Sequence, residues 1–595
     1  MRRRSRYLAL AALALPVVAV FSLGITAGHI GFDDWGYTVG CPFVKDGFSW
    51  ANVARAFCDL GYGAIWMPVT FMSHMADATL FGGSWRAYHA TNVVLHICNF
   101  VLVALFYEML LKRLVERPGR TLWLASLAAA LMWAVHPMRA DVVSYVASRK
   151  EELWTMFALA GLMAYMKFLG EGKVRHYSAA FAMFALACLS KPTAMCFPLL
   201  AASMHVLPDV RRRWRRLLWL RPMLLVSVLV GLVAMHSQAH PTGGDDVGLY
   251  DARLSWRILN AAVSTGLYLY YTVLPAGIHM DYLAVFNGWP HDGWLGLGVL
   301  AAAVLASALV FAAAGGRTCA VYLFAVLLAA FSLGPTLGVL GYVNGDQAMA
   351  DRYTYFPHVA AFFLVAFLAA RFAWEGKKAR AAAVAFCAAV ALECAFAVPV
   401  VRSYESGYAA SLRTLSKDPG NWRALRIVGN AYCARMGRCE EGIAMLRRSL
   451  RTRPSKTTAD SLSYILAMKG TPGDFAEVRR MCAGAIRAPE TDRSGMMLDA
   501  LGIVCMREGD YRSAARFLSA GLRASARRHP ADYTTLWLGV SLANSGRRGE
   551  AASAFRRVCV SRIGHVRRRA EEALAMLRDG GVPRGMDWAW AEGGK

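Results

Sequence analysis

Two adjacent carboxylates, Asp33 and Asp34 in GFDDWGY, open the polar stretch that follows the first apolar segment of the chain. Like charges side by side disfavour double ionisation, so one of the pair can keep its proton to higher pH and serve as a base towards a hydroxyl. An isolated Asp-Asp more often caps a helix or sits in a solvated turn, so the pair gains meaning only from what shares its side of the membrane. The segment HPMRADVVSYVASRKEEL supplies His136, Arg139, Asp141, Arg149, Lys150 and Glu151. LSKPTA adds Lys191, and GDQAMADRYTYFP adds Asp351, Arg352, Tyr353 and Tyr355. Singly, each charge is an interfacial anchor or a surface ion pair. Together they describe a cavity with carboxylates to activate a hydroxyl and cations to hold a phosphate, for which the planar fork of arginine is suited. Arg149 and Arg352 rank first among the cations, then Lys150 and Lys191. His89, Asn92 and His96 recur at i, i+3 and i+7 on one helical face. Polar groups inside a membrane helix line a cavity or bind another helix. No carboxylate joins that face and no Cys/His cluster has ligand spacing, so no metal site is expected.

The elements that must position these residues are membrane helices. Of 595 residues 56% are hydrophobic and only 18% charged, and apolar runs near the ~20 residues needed to cross a bilayer recur from residue 7 to about residue 400. The start, MRRRSRYLALAALALPVVAVFSLG, has the basic and apolar regions of a signal peptide without a convincing cleavage site, and is expected to stay as a first helix. Basic clusters at Arg2–Arg6, Lys112–Arg120, Lys167–Arg175, Arg211–Arg216 and Arg371–Arg380 mark the cytoplasmic side. Helices are then expected near 7–27, 87–111, 121–138, 152–169, 176–190, 192–207, 221–238, 293–314, 317–341, 355–371 and 380–400. These eleven spans put residues 28–86, 139–151, 239–257 and 342–354 outside, with the carboxyl-terminal part on the same side. The apolar segment 258–278 would invert everything after it if it crossed, and is taken as re-entrant or interfacial.

The formal charge of +26 could suggest a nucleic-acid partner. Residues 401–595 hold 34 Lys and Arg against 19 Asp and Glu, a net of +15 that leaves +11 for the membrane part. That remainder follows the positive-inside pattern, and no groove-reading or base-stacking motif accompanies it, so nucleic acid is excluded as a partner. The thirteen cysteines form no CxxC pair; Cys41 with Cys58, and Cys433 with Cys439, could be disulfides in an oxidising compartment.

Beyond about residue 403 the pattern changes to repeats. Gly502, Gly509, Ala514 and Leu518 are followed at the same internal spacing by Gly539, Gly546, Ala551 and Phe555. Small residues let two antiparallel helices approach closely while Leu518 and Phe555 fill the gap between hairpins. An earlier copy runs through Gly429, Tyr432, Gly437, Leu446 and Pro454, and a degenerate one covers 458–490. The pattern resembles tetratricopeptide repeats, which stack into a solenoid with a concave binding face. The fold class is therefore all-α: a membrane domain over 1–402, a repeat domain over 403–580 and a tail over 581–595.

FDDWGY, WMPVTFMSHMADATLFGG, YHATNVVLH, VHPMRADVVSYVASRKEEL, LSKPTA and MADRYTYFP, in that order over residues 32–357, resemble the bacterial relatives of the transmembrane and tetratricopeptide-repeat-containing O-mannosyltransferases, membrane glycosyltransferases of GT-C architecture. Asp141 stands where that family leads one to expect Glu, which shortens the reach of the carboxylate and keeps its charge. The resemblance implies a multi-pass protein of the bacterial inner membrane with its repeats in the periplasm. It implies transfer of a sugar, mannose in the family, from a polyprenyl-phosphate donor to a hydroxyl of a protein or peptide acceptor presented by the repeats, with no further cofactor. It places Asp33 and Asp34 at the catalytic centre, where one carboxylate would take the acceptor's proton and Arg149, Arg352, Lys150 and Lys191 would hold the leaving phosphate. His89, Asn92, His96, His136, Asp141, Glu151, Asp351 and Tyr353 would line the cavity. Three other readings compete: a non-catalytic membrane scaffold that displays repeats, a glycan or lipid ligase of the same architecture, and a transporter using His89, His96 and Glu393.

Overall fold

A computed structural model describes residues 3–117, 119–208, 210–240, 253–283, 292–339, 347–371, 376–487, 494–524, 532–561 and 563–583. The chain divides into two units, Met1–Lys417 and Asp418–Lys595. Helical segments occupy each of the eleven expected places in the first unit. Among the described residues, six helices are long and apolar enough to cross a membrane: Trp85–Leu114, Val146–Glu171, Trp214–Ala239, Gly293–Ala313, Gly316–Thr336 and Lys377–Ser403. A seventh arises if Gly119–Val135 and Pro137–Val143, bent by 60°, form one span. Length and composition alone thus stop short of eleven, because Leu8–Gly24, Pro192–Val206 and Pro357–Arg371 are shorter apolar helices and Val174–Ser190 has only 17 residues. The segment expected at 258–278 is one unbroken helix, Leu254–Val273.

Local chemistry sets several of these boundaries. Pro68 opens Pro68–Phe81 at a position where its missing N–H costs nothing, and Gly82, in the left-handed conformation at φ +63°, closes it. Pro137 breaks the helix that ends at Val135, and the His136 ring accepts from the Met138 amide to cap the short turn Pro137–Arg139. Lys112 and Arg113 close Trp85–Leu114 where the helix dipole favours cations. The same helix holds Glu108, which pairs with Arg6 at 2.5 Å and Lys112 at 2.9 Å. Strands Tyr282–Leu283 and Gln347–Met349 pair antiparallel, Tyr282 opposite Met349, and so lead the chain into the turn Asp351–Thr354.

The second unit is built of helical hairpins: Trp422–Arg435 with Cys439–Thr452, Lys456–Lys469 with Phe475–Arg487, Gly495–Arg507 with Tyr511–Ala524, and Asp532–Asn544 with Arg548–Val558. A Cβ on Gly502 would stand 2.6 Å from Leu518 Cγ, and one on Gly539 would stand 2.5 Å from Phe555 Cε1. Only glycine permits that approach. Gly437, Gly509 and Gly546 turn three of the hairpins with φ of +66°, +85° and +83°.

All thirteen cysteines are free thiols. Cys41 is buried and Cys58 exposed, unjoined in this structure, and Cys433 donates to the Cys439 carbonyl at 3.4 Å.

Candidate functional site

The two carboxylates that begin the short helix Asp33–Tyr37 have opposite surroundings. Asp34 is fully buried; its Oδ1 accepts from the Ala147 amide at 2.8 Å and its Oδ2 from the Ile30 amide at 3.1 Å. Burial, opposed by those two amides, lifts its carboxyl to about 7. Asp33 is exposed, and its backbone amide donates to the Tyr145 hydroxyl at 3.1 Å. Asp34 is thus a buckle that fastens this loop to residues 145–148, and Asp33 is the carboxylate left open to the surroundings. The residue before them, Phe32, sits at φ 48° and ψ −128°, a conformation costing a non-glycine residue about 1–3 kcal/mol. The bonds to Ala147 and Tyr145 over-determine the loop and hold it there.

Asp33 acts electrostatically on both Lys150 and Arg352, favouring the charged form of each against burial. Arg352 donates from its backbone and its Nη1 to Asp141 Oδ2 at 3.0 and 3.2 Å and from Nη2 to Gln347 at 3.1 Å. Its guanidinium also lies over Tyr353 at 5.1 Å and Tyr145 at 5.9 Å. Tyr404 donates to Asp141 Oδ1 at 3.0 Å. Lys191 pairs with Glu151 and lies 5.1 Å over the Tyr353 ring; Trp154 donates to the other Glu151 oxygen at 2.8 Å. Burial pushes the Lys191 ammonium down, against the pull of Glu151. Asp351 accepts from Tyr282 at 3.1 Å and is held well above the usual carboxylate range, first by burial and then by Asp141.

Of the expected residues, Asp33, Lys150, Lys191, Arg352, Asp141, Glu151 and Tyr353 are brought together, with Asp351 behind Arg352. Arg149 is not an open cation, which corrects its place at the head of the phosphate ligands. Its guanidinium makes four hydrogen bonds inside the protein, Nε to Asn92 at 2.7 Å, Nη1 to the Ser73 carbonyl and hydroxyl and Nη2 to the Tyr88 carbonyl at 2.9 Å, and is ion-paired with Asp77 at 2.7 Å. Asn92 also donates to the Tyr145 carbonyl at 3.4 Å, so this assembly supports the segment 145–148 that fastens Asp34. His89 meets the Gly28 carbonyl, and His96 meets the Tyr355 hydroxyl and the Ala134 carbonyl. His136 faces the Thr272 carbonyl. These rings brace loops, which removes them as cavity lining. Glu393 Oε2 is buried without a hydrogen-bond partner among the described residues.

Tyr37 and Tyr145 escaped the sequence reading although both lie inside motifs quoted for other residues. Tyr37 is four residues after Asp33, which puts the two on one side of a helical turn; that spacing was the available signal. Tyr282, Gln347 and Tyr404 carried none. Among the described residues no group of three His, Cys, Asp or Glu side chains could hold a metal ion.

No family model matches the chain. Over 274 residues, 44% of this chain and 37% of the relative, it is 26% identical to the protein O-mannosyl-transferase F38B6.6 of Caenorhabditis elegans. Over 135 residues, 22% of this chain and 18% of the relative, it is 30% identical to the protein O-mannosyl-transferase TMTC4 of Homo sapiens. The matches span well under half the length of these curated relatives. The chain is a multi-pass membrane protein distantly related to that family.

Proposed function

From that distant relatedness and the geometry around Asp33, we propose that the chain is a membrane glycosyltransferase of GT-C type that moves a sugar from a polyprenyl-phosphate donor to a hydroxyl of a protein acceptor. Relatedness to proteins named O-mannosyl-transferases supports sugar transfer at the family level, and mannose is the sugar those names carry. The observation that carries the reading is the exposed Asp33, set against Lys150 and Arg352 while Asp34 is locked away. Asp33 takes the proton of a Ser or Thr hydroxyl as its oxygen attacks the anomeric carbon. The bond to the lipid phosphate breaks in the same displacement, and its electron pair leaves with the phosphate. Charge that develops on that phosphate meets fixed cations, Lys150 and Arg352 with Lys191 beside them, at a site where little reorganisation is needed. The lipid tail lies among the membrane helices. We assign the eleven-span topology, the outer side of a bacterial inner membrane for Asp33 and a tetratricopeptide architecture for the second unit, which would present the acceptor peptide.

The test is transfer of radiolabel from polyprenyl-phosphate sugars to candidate acceptors in membranes carrying wild type or Asp33→Asn. Removing a general base is expected to lower the rate by about 10²- to 10⁴-fold. Equal transfer by the two proteins would overturn Asp33 as the base, and no transfer above membranes lacking the protein would leave a membrane-anchored repeat scaffold.

A further inference from the structure

Lys150 is the one described cation of the Asp33 cluster with no carboxylate on it. Arg352 is paired with Asp141 and Lys191 with Glu151, whereas the Lys150 ammonium makes no hydrogen bond or ion pair with a described residue and feels Asp33 only through space. Its Nζ instead lies 4.7 Å from the centroid of the Tyr37 ring. A ring face attracts a cation through its quadrupole without accepting an N–H bond in the usual directions. A carboxylate in that place would hold Lys150 as firmly but would neutralise it and occupy its donors. Tyr37 therefore fixes the ammonium while its charge and its three N–H groups remain available to an oxyanion.

The ring is itself held in place. It is buried, meets the edge of Phe71 at 5.9 Å and 87°, and rests against Gly63, where a Cβ would stand 2.7 Å from Tyr37 Cε1. Gly63 has φ +61°, so both its conformation and the closeness of the ring call for glycine. Tyr37 also ends the short helix that Asp33 begins. One turn of chain thus places the candidate base and the ring that aims the candidate phosphate ligand.

We propose that Tyr37 is a positioning residue that holds Lys150 ready for the lipid phosphate through its ring face, and that its hydroxyl is dispensable for this. The inference rests on the proposed function for the identity of the anion. It is tested by a double-mutant cycle on the full-length protein in detergent, reading affinity for a polyprenyl phosphate with inorganic phosphate as the control. Folding of each variant is checked by gel filtration and thermal unfolding. Tyr37→Leu and Lys150→Met are each expected to weaken lipid-phosphate binding about tenfold, and Tyr37→Phe to stay within about twofold of wild type. In the Lys150→Met background Tyr37→Leu is expected to cost less than about twofold, because the two act as one unit. An additive cycle, a folded Tyr37→Phe protein as weak as Tyr37→Leu, or a wild type that does not bind polyprenyl phosphate would each overturn the inference. Binding needs no turnover, so the two readings fail separately. A coupled cycle with no sugar transfer would sink the proposed reaction alone, and an additive cycle with transfer lost in Asp33→Asn would sink the role of Tyr37 alone.

Discussion

At the scale of single residues, the division of labour between Asp33 and Asp34 has a consequence in pH. Asp34 is held up to about 7 when folded, against 3.8 as its ordinary value, with burial the largest cause. Between those values the folded chain keeps a proton that the unfolded chain releases, so Asp34's contribution to stability is lost as pH rises from about 4 to 7 and is level above that. Over that window the change amounts to about 4 kcal/mol for this one group. Asp34→Asn cannot ionise. Thermal unfolding of wild type and Asp34→Asn at pH 5 and pH 8 is expected to show the wild type losing more stability towards pH 8. Equal pH slopes would mean that Asp34 is not the buried, raised carboxyl described above. At this scale the types of the site residues were legible and their commitments were not. Arg149 has the chemistry of a phosphate ligand, but Asp77, Ser73, Tyr88 and Asn92 claim its donors from distant parts of the chain. Nothing in residues 136–153 alone announces that.

At the scale of elements, what was legible was local: apolar runs, Pro and Gly at helix ends, and the spacing of glycines in the hairpins. Gly502 meets Leu518 and Gly539 meets Phe555 inside one hairpin each rather than in the gap between hairpins, because a helix's tightest partner here is its neighbour in sequence. The next contact, also between consecutive helices, had no repeated spacing to announce it. Helices Leu254–Val273 and Gly293–Ala313 pack so closely that a Cβ on Gly266 would fall 1.7 Å from the Gly296 carbonyl oxygen, and one on Gly296 would fall 2.6 Å from the Val263 carbonyl oxygen. Small residues permit such backbone approach between membrane helices, where apolar burial offers no driving force. The obstacle is backbone, which no side-chain rotation relieves. Gly266→Ala is therefore expected to abolish recovery of folded protein or cut its unfolding temperature sharply. Gly298→Ala, which meets nothing within 4 Å, is expected to raise helix propensity by a few tenths to about 1 kcal/mol without harm. Comparable behaviour of the two variants in gel filtration and thermal unfolding would show that the helices do not meet at Gly266.

At the scale of the whole molecule, Leu254–Val273 also decides parity. It donates from Asn260 and Ser264 to the Ala348 carbonyl and exchanges hydrogen bonds between Tyr268 and Ala350, so it is tied to the strand that delivers Asp351 and Arg352. Those ties suit a helix that serves the turn Asp351–Thr354 without crossing the membrane. If it instead crossed the membrane alone, every later span would invert and the second unit would face away from Asp33. Acceptor presentation by the hairpins requires that both lie on one side. Single-cysteine proteins separate the cases: exposed Cys58 in the loop after Asp33, Ser553→Cys on an exposed position of the last complete hairpin, and Glu116→Cys in a basic loop. With a membrane-impermeant maleimide on intact spheroplasts, Cys58 and Ser553→Cys are expected to label, and Glu116→Cys only after lysis. Labelling of Cys58 alone would place the second unit on the opposite face, and the repeats could then neither receive an extracytoplasmic protein nor hand it to Asp33. Labelling of all three would show leaky cells and calls for the same comparison on sealed right-side-out vesicles, where the expected order is unchanged.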